Sequence, residues 1–154
     1  MRTMLVAGNW KMNGSATETR VLLSALLAAR EPVDAEVVVF PPSVYLSQVS
    51  TQLEGAAISC GAQTVSAHAK GAYTGELSAS MLLDVGCQYV IVGHSERRHL
   101  FGETNAEVAE KFHASLEAGL RPILCVGETL DQRDAGLTLA IVQEQLAVAL
   151  SLHD

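Results

Sequence analysis

A chain of 154 residues, 49% of them apolar, is long enough for one domain with a sizeable core and too apolar to be disordered. Ten Lys and Arg against 17 Asp and Glu leave a formal net charge of −7, which argues against a general nucleic-acid binder and leaves a small anionic ligand open, because a site answers to local charge. Cys60, Cys87 and Cys125 lie in or beside apolar stretches with no C-x-x-C, and no apolar run reaches the about 18 residues of a membrane span; reduced thiols, a cytoplasmic setting and no membrane partner are expected.

The first apolar run, Met4–Ala7, reads as a strand, and Met1–Ala7 is too short for a signal peptide. Asn9, Trp10, Lys11, Met12 and Asn13 follow it. Asn9 and Lys11 put an amide and a cation at one strand end, which suits an anionic or carbonyl-bearing ligand. A solvated lysine beside a capping asparagine is the bland alternative. Ser15 and Glu18 form a capping box ahead of a helix over Val21–Arg30. The second strand, Glu36–Phe40, exits into Pro41 and Pro42, and Ser43 is placed to cap a helix over Val44–Gln48. The third strand, Ala57–Cys60, is followed by a long loop, Gln63–Leu77, carrying His68, Lys70, Tyr73, Thr74 and Glu76.

Ser78 can cap a helix over Ala79–Leu83, with Gly86 as its stop. The fourth strand, Tyr89–Val92, ends in Gly93 and then His94, Ser95, Glu96, Arg97 and Arg98. Thr104 and Glu107 form a second capping box before Val108–Leu116, and Gly119 ends that helix. The fifth strand, Pro122–Val126, exits into Gly127, Glu128 and Thr129. A last amphipathic run, Leu137–Leu150, directs Ile141, Val142, Leu146 and Val148 inward.

These are five strand-then-helix units in one domain over residues 1–154. The strands show no polar alternation, as expected for parallel strands covered on both faces. A doubly wound open sheet and a (β/α) barrel both fit. No G-x-G-x-x-G or G-x-x-x-x-G-K-[ST] follows a strand, which weakens the nucleotide-binding readings. In either fold chemistry collects at the carboxyl ends of the strands.

His94 admits three functional readings. His94-Ser95-Glu96 fits the H-x-E half of a zinc deaminase signature, but the P-C-x-x-C half is missing. Gly93 to Arg97 follows G-x-S-x-G until Arg97 stands where the last glycine is needed. In the third reading Ser95–Arg98 opens a helix, and the free amides there keep the His94 ring uncharged and able to donate a hydrogen bond to a carbonyl oxygen. A histidine bonded only to backbone is the bland alternative. Glu96 beside the arginines reads as a surface ion-pair cluster, and Glu128, His68, His113 and His153 carry no role from spacing.

Asn9-Trp10-Lys11-Met12-Asn13-Gly14, Gly71-Ala72-Tyr73-Thr74-Gly75-Glu76, Val90–Arg98 and Pro122–Thr129 together resemble the triosephosphate isomerase family. The resemblance runs from Met4 to the end of the sequence. It implies a (β/α) TIM barrel of glycolysis and gluconeogenesis that interconverts dihydroxyacetone phosphate and glyceraldehyde 3-phosphate through an enediolate, with no metal or other cofactor. By that resemblance His94 is the electrophile, Lys11 attracts the substrate's charge, Asn9 helps hold the substrate, and Glu96 is a supporting catalytic group. Tyr73, Thr74, Glu76 and Arg97 belong to a subunit interface of a homodimer, in which Thr74 braces the partner's site.

The family's base is a glutamate in an Ala-Tyr-Glu-Pro-Val-Trp context, and this segment does not occur in the sequence. The expectation is therefore a partial TIM barrel, truncated after the fifth of eight units. Weak turnover, or turnover that needs self-assembly through open strand edges, follows. A non-catalytic, self-associating barrel fragment and one half of a split enzyme are the alternatives.

Overall fold

The computed structural model of the chain describes residues 3–29 and 34–150. Five strands, β1 (Met4–Asn9), β2 (Ala35–Phe40), β3 (Ile58–Ala62), β4 (Tyr89–Val92) and β5 (Arg121–Leu124), pair in parallel in the order β1-β2-β3-β4-β5. The helices between them are α1 (Ala16–Ala29), α2 (Leu46–Gln52), α3 (Ala79–Asp84), α4 (Ser95–Leu100) and α5 (Asn105–Ala118). Beyond β5 come α6 (Leu130–Asp134) and α7 (Thr138–Leu150).

Strand alternation sorts the core into two layers. Val39, Ile58, Cys60, Ala62, Val90 and Val92 point to one face, where Leu23 of α1, Val49 of α2, Leu82 of α3 and Val108 of α5 cover them. Val38, Phe40, Tyr89 and Ile91 point to the other face, packed with Ile123 and Cys125, and no helix residue joins that cluster. A doubly wound sheet carries helices on both faces and reverses its strand order. Helices on one side of a sequentially ordered, curled parallel sheet are instead the geometry of a partial TIM barrel.

The helix starts follow the expected chemistry in most places. Thr104 and Glu107 form a reciprocal capping box at α5, and Ser78 Oγ accepts from the Met81 N–H at α3. The Glu18 N–H donates to Ser15 Oγ at 3.2 Å ahead of α1. Gly119 ends α5 in the left-handed region, at φ 96°. Arg30, the expected last residue of that first helix, and His153 lie outside the described residues.

Three expectations are corrected. Ser43 makes no side-chain cap: Ser43–Tyr45 is a 3₁₀ turn closed by the Tyr45 N–H on the Pro42 carbonyl, so α2 begins only at Leu46. Not every strand is covered on both faces: Met4 and Val6 of β1 are 66% and 53% exposed, because β1 pairs only with β2 among the described residues. On α7, Leu146 is exposed and Ala149 is the buried residue, so the inward stripe is narrower than its leucines suggest.

One contact on the helix-free face is tight enough to test. A Cβ built on Gly61 would lie 2.3 Å from Phe40 Cε1 and 3.0 Å from Tyr89 Cβ. Phe40 is fully buried and has nowhere to yield. Gly61→Ala is expected to destabilise the fold by about 1–3 kcal/mol, measured by urea denaturation. An unchanged midpoint would show that this face repacks freely.

Candidate active site

Parallel pairing in sequential order brings the exits of β1, β3 and β4 to one end of the sheet. The β1 exit turns through Lys11, the one non-glycine residue with positive φ (53°) among the described residues. An L-residue adopts that region at a cost, so the surroundings must hold it there. Three amide contacts do so. The Lys11 N–H donates to Asn9 Oδ1 at 2.9 Å, and Asn13 Nδ2 donates to the Trp10 carbonyl at 2.8 Å. Gln63, just after β3, spans both neighbouring exits: its Nε2 donates to the Lys11 carbonyl at 2.8 Å and to the Phe40 carbonyl at 2.9 Å.

The β4 exit turns through Gly93 at φ 71°, where an added Cβ would lie 2.8 Å from both Arg98 Nη2 and Val108 Cγ1. Only glycine fits this turn. Arg98 folds back to secure it, with Nε donating to the Gly93 carbonyl at 2.7 Å, Nη1 to Asn105 Oδ1 at 2.7 Å and Nη2 to the Cys125 carbonyl at 3.2 Å. Burial works to lower the pKa of this guanidinium, and the Glu103 charge works against that.

His94 is the N-cap of α4, and its Nδ1 accepts the Glu96 N–H at 3.2 Å. A nitrogen that accepts carries no proton, so the arrangement suits a neutral ring with its proton on Nε2. Glu96 Oε2 lies 3.5 Å from the same Nδ1, which becomes an ion pair only if the ring is charged. The backbone bond takes precedence, because it is the shorter of the two and needs a lone pair on that atom.

Lys11 Nζ and Glu96 Oε1 meet at 2.8 Å, both side chains about half exposed. The hydrogen bond from Lys11, aided by the Lys11 charge, holds the Glu96 carboxyl below its ordinary pKa. Asn9, Lys11, Gln63, His94, Glu96 and Arg97 line a single cavity of about 200 Å³. An imidazole, an ammonium and an amide therefore face one small volume. Such a set can bind an anion and polarise a carbonyl.

Arg97 also faces a second cavity, of about 320 Å³, with His68, Tyr73, Glu76, Glu103 and Lys111. Glu103 Oε1 accepts from Arg97 Nε and, at 2.5 Å, from Lys111 Nζ, with only 6% of the Glu103 side chain exposed. Burial works to raise this carboxyl's pKa, but the hydrogen bonds and charges of Lys111 and Arg97 outweigh it and leave the pKa lowered. Tyr73, Thr74 and Glu76 are exposed in the loop after β3, where the Tyr73 ring stacks on His68 at 4.0 Å. They stand apart from the Lys11–His94 cavity. Glu128 is held by Arg133 Nε at 2.7 Å and Thr138 Oγ1 at 3.2 Å, away from that cavity as well.

Sequence reasoning did not single out Gln63, Glu103 or Lys111 as site-building residues. Gln63 could have been noticed as a polar residue directly following a buried strand. Nothing local marks Glu103 or Lys111, whose importance lies in a tertiary contact. Among the described residues, no group of three or more His, Cys, Asp or Glu side chains could hold a metal ion. No helix among them is long and apolar enough to cross a membrane.

The family model for triosephosphate isomerase matches residues 4–154. A triosephosphate isomerase of Thiobacillus denitrificans is 58% identical over 146 residues, 95% of this chain and 58% of the relative. One from Dechloromonas aromatica is 53% identical over 150 residues, 97% of this chain and 60% of the relative. One from Coxiella burnetii is 55% identical over 154 residues, 99% of this chain and 60% of the relative. The chain thus spans about three fifths of the length of these relatives.

The Glu103 contact sets an acid dependence. A lowered carboxyl pKa contributes stability that is present above the ordinary value of 4.5 and is lost as pH falls through the folded-state value. Glu103→Gln, which leaves Arg97 and Lys111 without their counter-charge, is expected to cost on the order of 3 kcal/mol at neutral pH. The difference from the unaltered protein should shrink below pH 4.5 in urea melts. A gap that persists in acid would assign the effect to packing rather than charge.

Proposed function

We propose a function from one premise: the chain belongs to the triosephosphate isomerase family, and its strand-exit residues supply the electrophilic half of an aldose–ketose isomerase site. The reaction is the interconversion of dihydroxyacetone phosphate and glyceraldehyde 3-phosphate. Lys11 draws in the anionic substrate and balances the enediolate's charge. His94 donates its Nε2 proton as a hydrogen bond to the carbonyl oxygen that becomes the enediolate oxygen. Asn9 orients the substrate, and Glu96 positions Lys11 and stands as proton partner beside it. The neutral histidine paired with a glutamate base is the family's known chemistry. The observation that carries the reading is the meeting of Lys11, Glu96 and His94 on one cavity with Asn9.

Removal of the carbon-bound proton needs a carboxylate within hydrogen-bond reach of it. Glu96 is engaged by Lys11 and adjoins the ring. We assign the base to a carboxylate brought to the cavity by other polypeptide, and expect these 154 residues alone to turn over about 10²- to 10⁴-fold more slowly than an isomerase with its base in place. A homodimer through Tyr73, Thr74, Glu76 and Arg97 is part of this reading. It is supported by Met12 and Phe101, which expose apolar surface at the rim of the Lys11–His94 cavity. The same exposed residues favour the second reading, an association fragment without turnover.

A coupled isomerase assay across protein concentration tests both. Slow turnover is expected, rising per chain as the protein associates. His94→Gln and Lys11→Met, with unchanged circular dichroism, should each lower it by about 10²-fold or more. Equal turnover in all three proteins would remove the proposed roles. Assembly with no turnover at any concentration would establish the association reading instead.

A further inference from the structure

Two thiols that the candidate site does not use lie close together, Cys60 in β3 and Cys87 two residues before β4. Gly61 is registered with Tyr89, and the Gln88 N–H donates to the Cys60 carbonyl at 2.9 Å. Cys60 therefore sits beside Gln88, one residue along from Cys87. A strand spacing of about 4.8 Å and a step of about 3.3 Å place the two Cα atoms about 6 Å apart. That is inside the about 4.4–6.8 Å a disulfide spans.

Side-chain direction agrees with this distance. The Ser59 hydroxyl donates to Gln88 Oε1 at 3.3 Å, so Ser59 and Gln88 share one face of the sheet. Alternation then puts Cys60 and Cys87 together on the other. There they pack in one apolar cluster with Leu82 and Val90.

We propose that Cys60 and Cys87 are a redox pair that closes into an intramolecular disulfide. The hydrogen bond between the two thiols, with burial, pushes the Cys60 pKa up, and the same bond draws that of Cys87 down. Both residues are nearly buried, at 3% and 2% exposure. A cleft of about 400 Å³ at the start of β3 has Cys60, Gly86 and Gln88 in its wall and gives a small oxidant its approach.

The oxidant class is a peroxide. The thiolate of one of the two cysteines attacks one oxygen of hydrogen peroxide, the O–O bond breaks, and the departing hydroxide leaves as water. The sulfur of the other then displaces the hydroxyl of that sulfenic acid as a second water and forms the S–S bond. Two thiols and one peroxide give one disulfide and two waters. The closed ring contains the whole loop after β3 and α3, so oxidation would tie both ends of the segment that carries Tyr73, Thr74 and Glu76.

The test is native protein treated with hydrogen peroxide, quenched, denatured, alkylated and mapped by mass spectrometry. The expected product has one alkylatable thiol in place of three and a mass lower by two hydrogen atoms before alkylation. It yields one peptide pair joining Cys60 to Cys87, and dithiothreitol reverses it. Cys125→Ser should leave the cross-link unchanged, and Cys60→Ala or Cys87→Ser should abolish it. Because the map is read on the unaltered protein, the result does not depend on either variant folding. Three alkylatable thiols after oxidation, oxidation of Cys125 alone, or any cross-link to Cys125 would overturn the proposal.

Discussion

The arrangement of the site depends on parallel pairing without a change of strand order. Each strand lies beside its sequence neighbour, so every exit emerges at the same end of the sheet. Residues 9, 11, 63 and 94, drawn from three separate units, then face one another without any long loop having to deliver them. The fold supplies direction, and local chemistry supplies the final placement. Gly93 lets the chain turn where a side chain would strike Arg98, and Gln63 ties down the backbone of Lys11 and Phe40 with one amide nitrogen.

Charge is handled in two different ways within a few residues. Glu96 pairs with Lys11 where both remain half in water, so an anion from solution can compete for the ammonium. Glu103 is enclosed and shared by Arg97 and Lys111, which makes it structural. The site therefore combines an exchangeable pair at its mouth with a fixed one behind it. That division leaves one cation free to change partners and keeps the other within a buried charge cluster that shapes the wall.

Much of this was legible in the residues. Uninterrupted apolar runs located all five strands to within a few residues, because buried strands leave no other use for Val-Ile-Leu stretches. Capping chemistry gave the starts of α3 and α5, since Ser78 and Thr104 each satisfy amides within three residues of themselves. It failed at Ser43, where Pro42 supplies its carbonyl to a 3₁₀ turn and the helix opens later. The exposure of β1 did not show in its apolar composition, which says what could be buried and not what lies alongside, but it agrees with the open strand edges expected of a partial barrel. Asn9, Lys11 and His94 could be singled out because they stand at strand exits, whereas Glu96 took its role only from the family resemblance. Glu103 could not, because its meaning comes from a lysine eight positions on and an arginine six positions back.

Arg97 forms a wall common to both cavities. Whatever settles against Tyr73 and Glu76 and whatever settles against Lys11 and His94 would press on the same guanidinium from opposite sides. Reciprocity then follows: if filling one chamber tightens the other, filling the second must tighten the first by an equal factor. A communicating partition of this kind would make assembly and ligand capture a single coupled equilibrium.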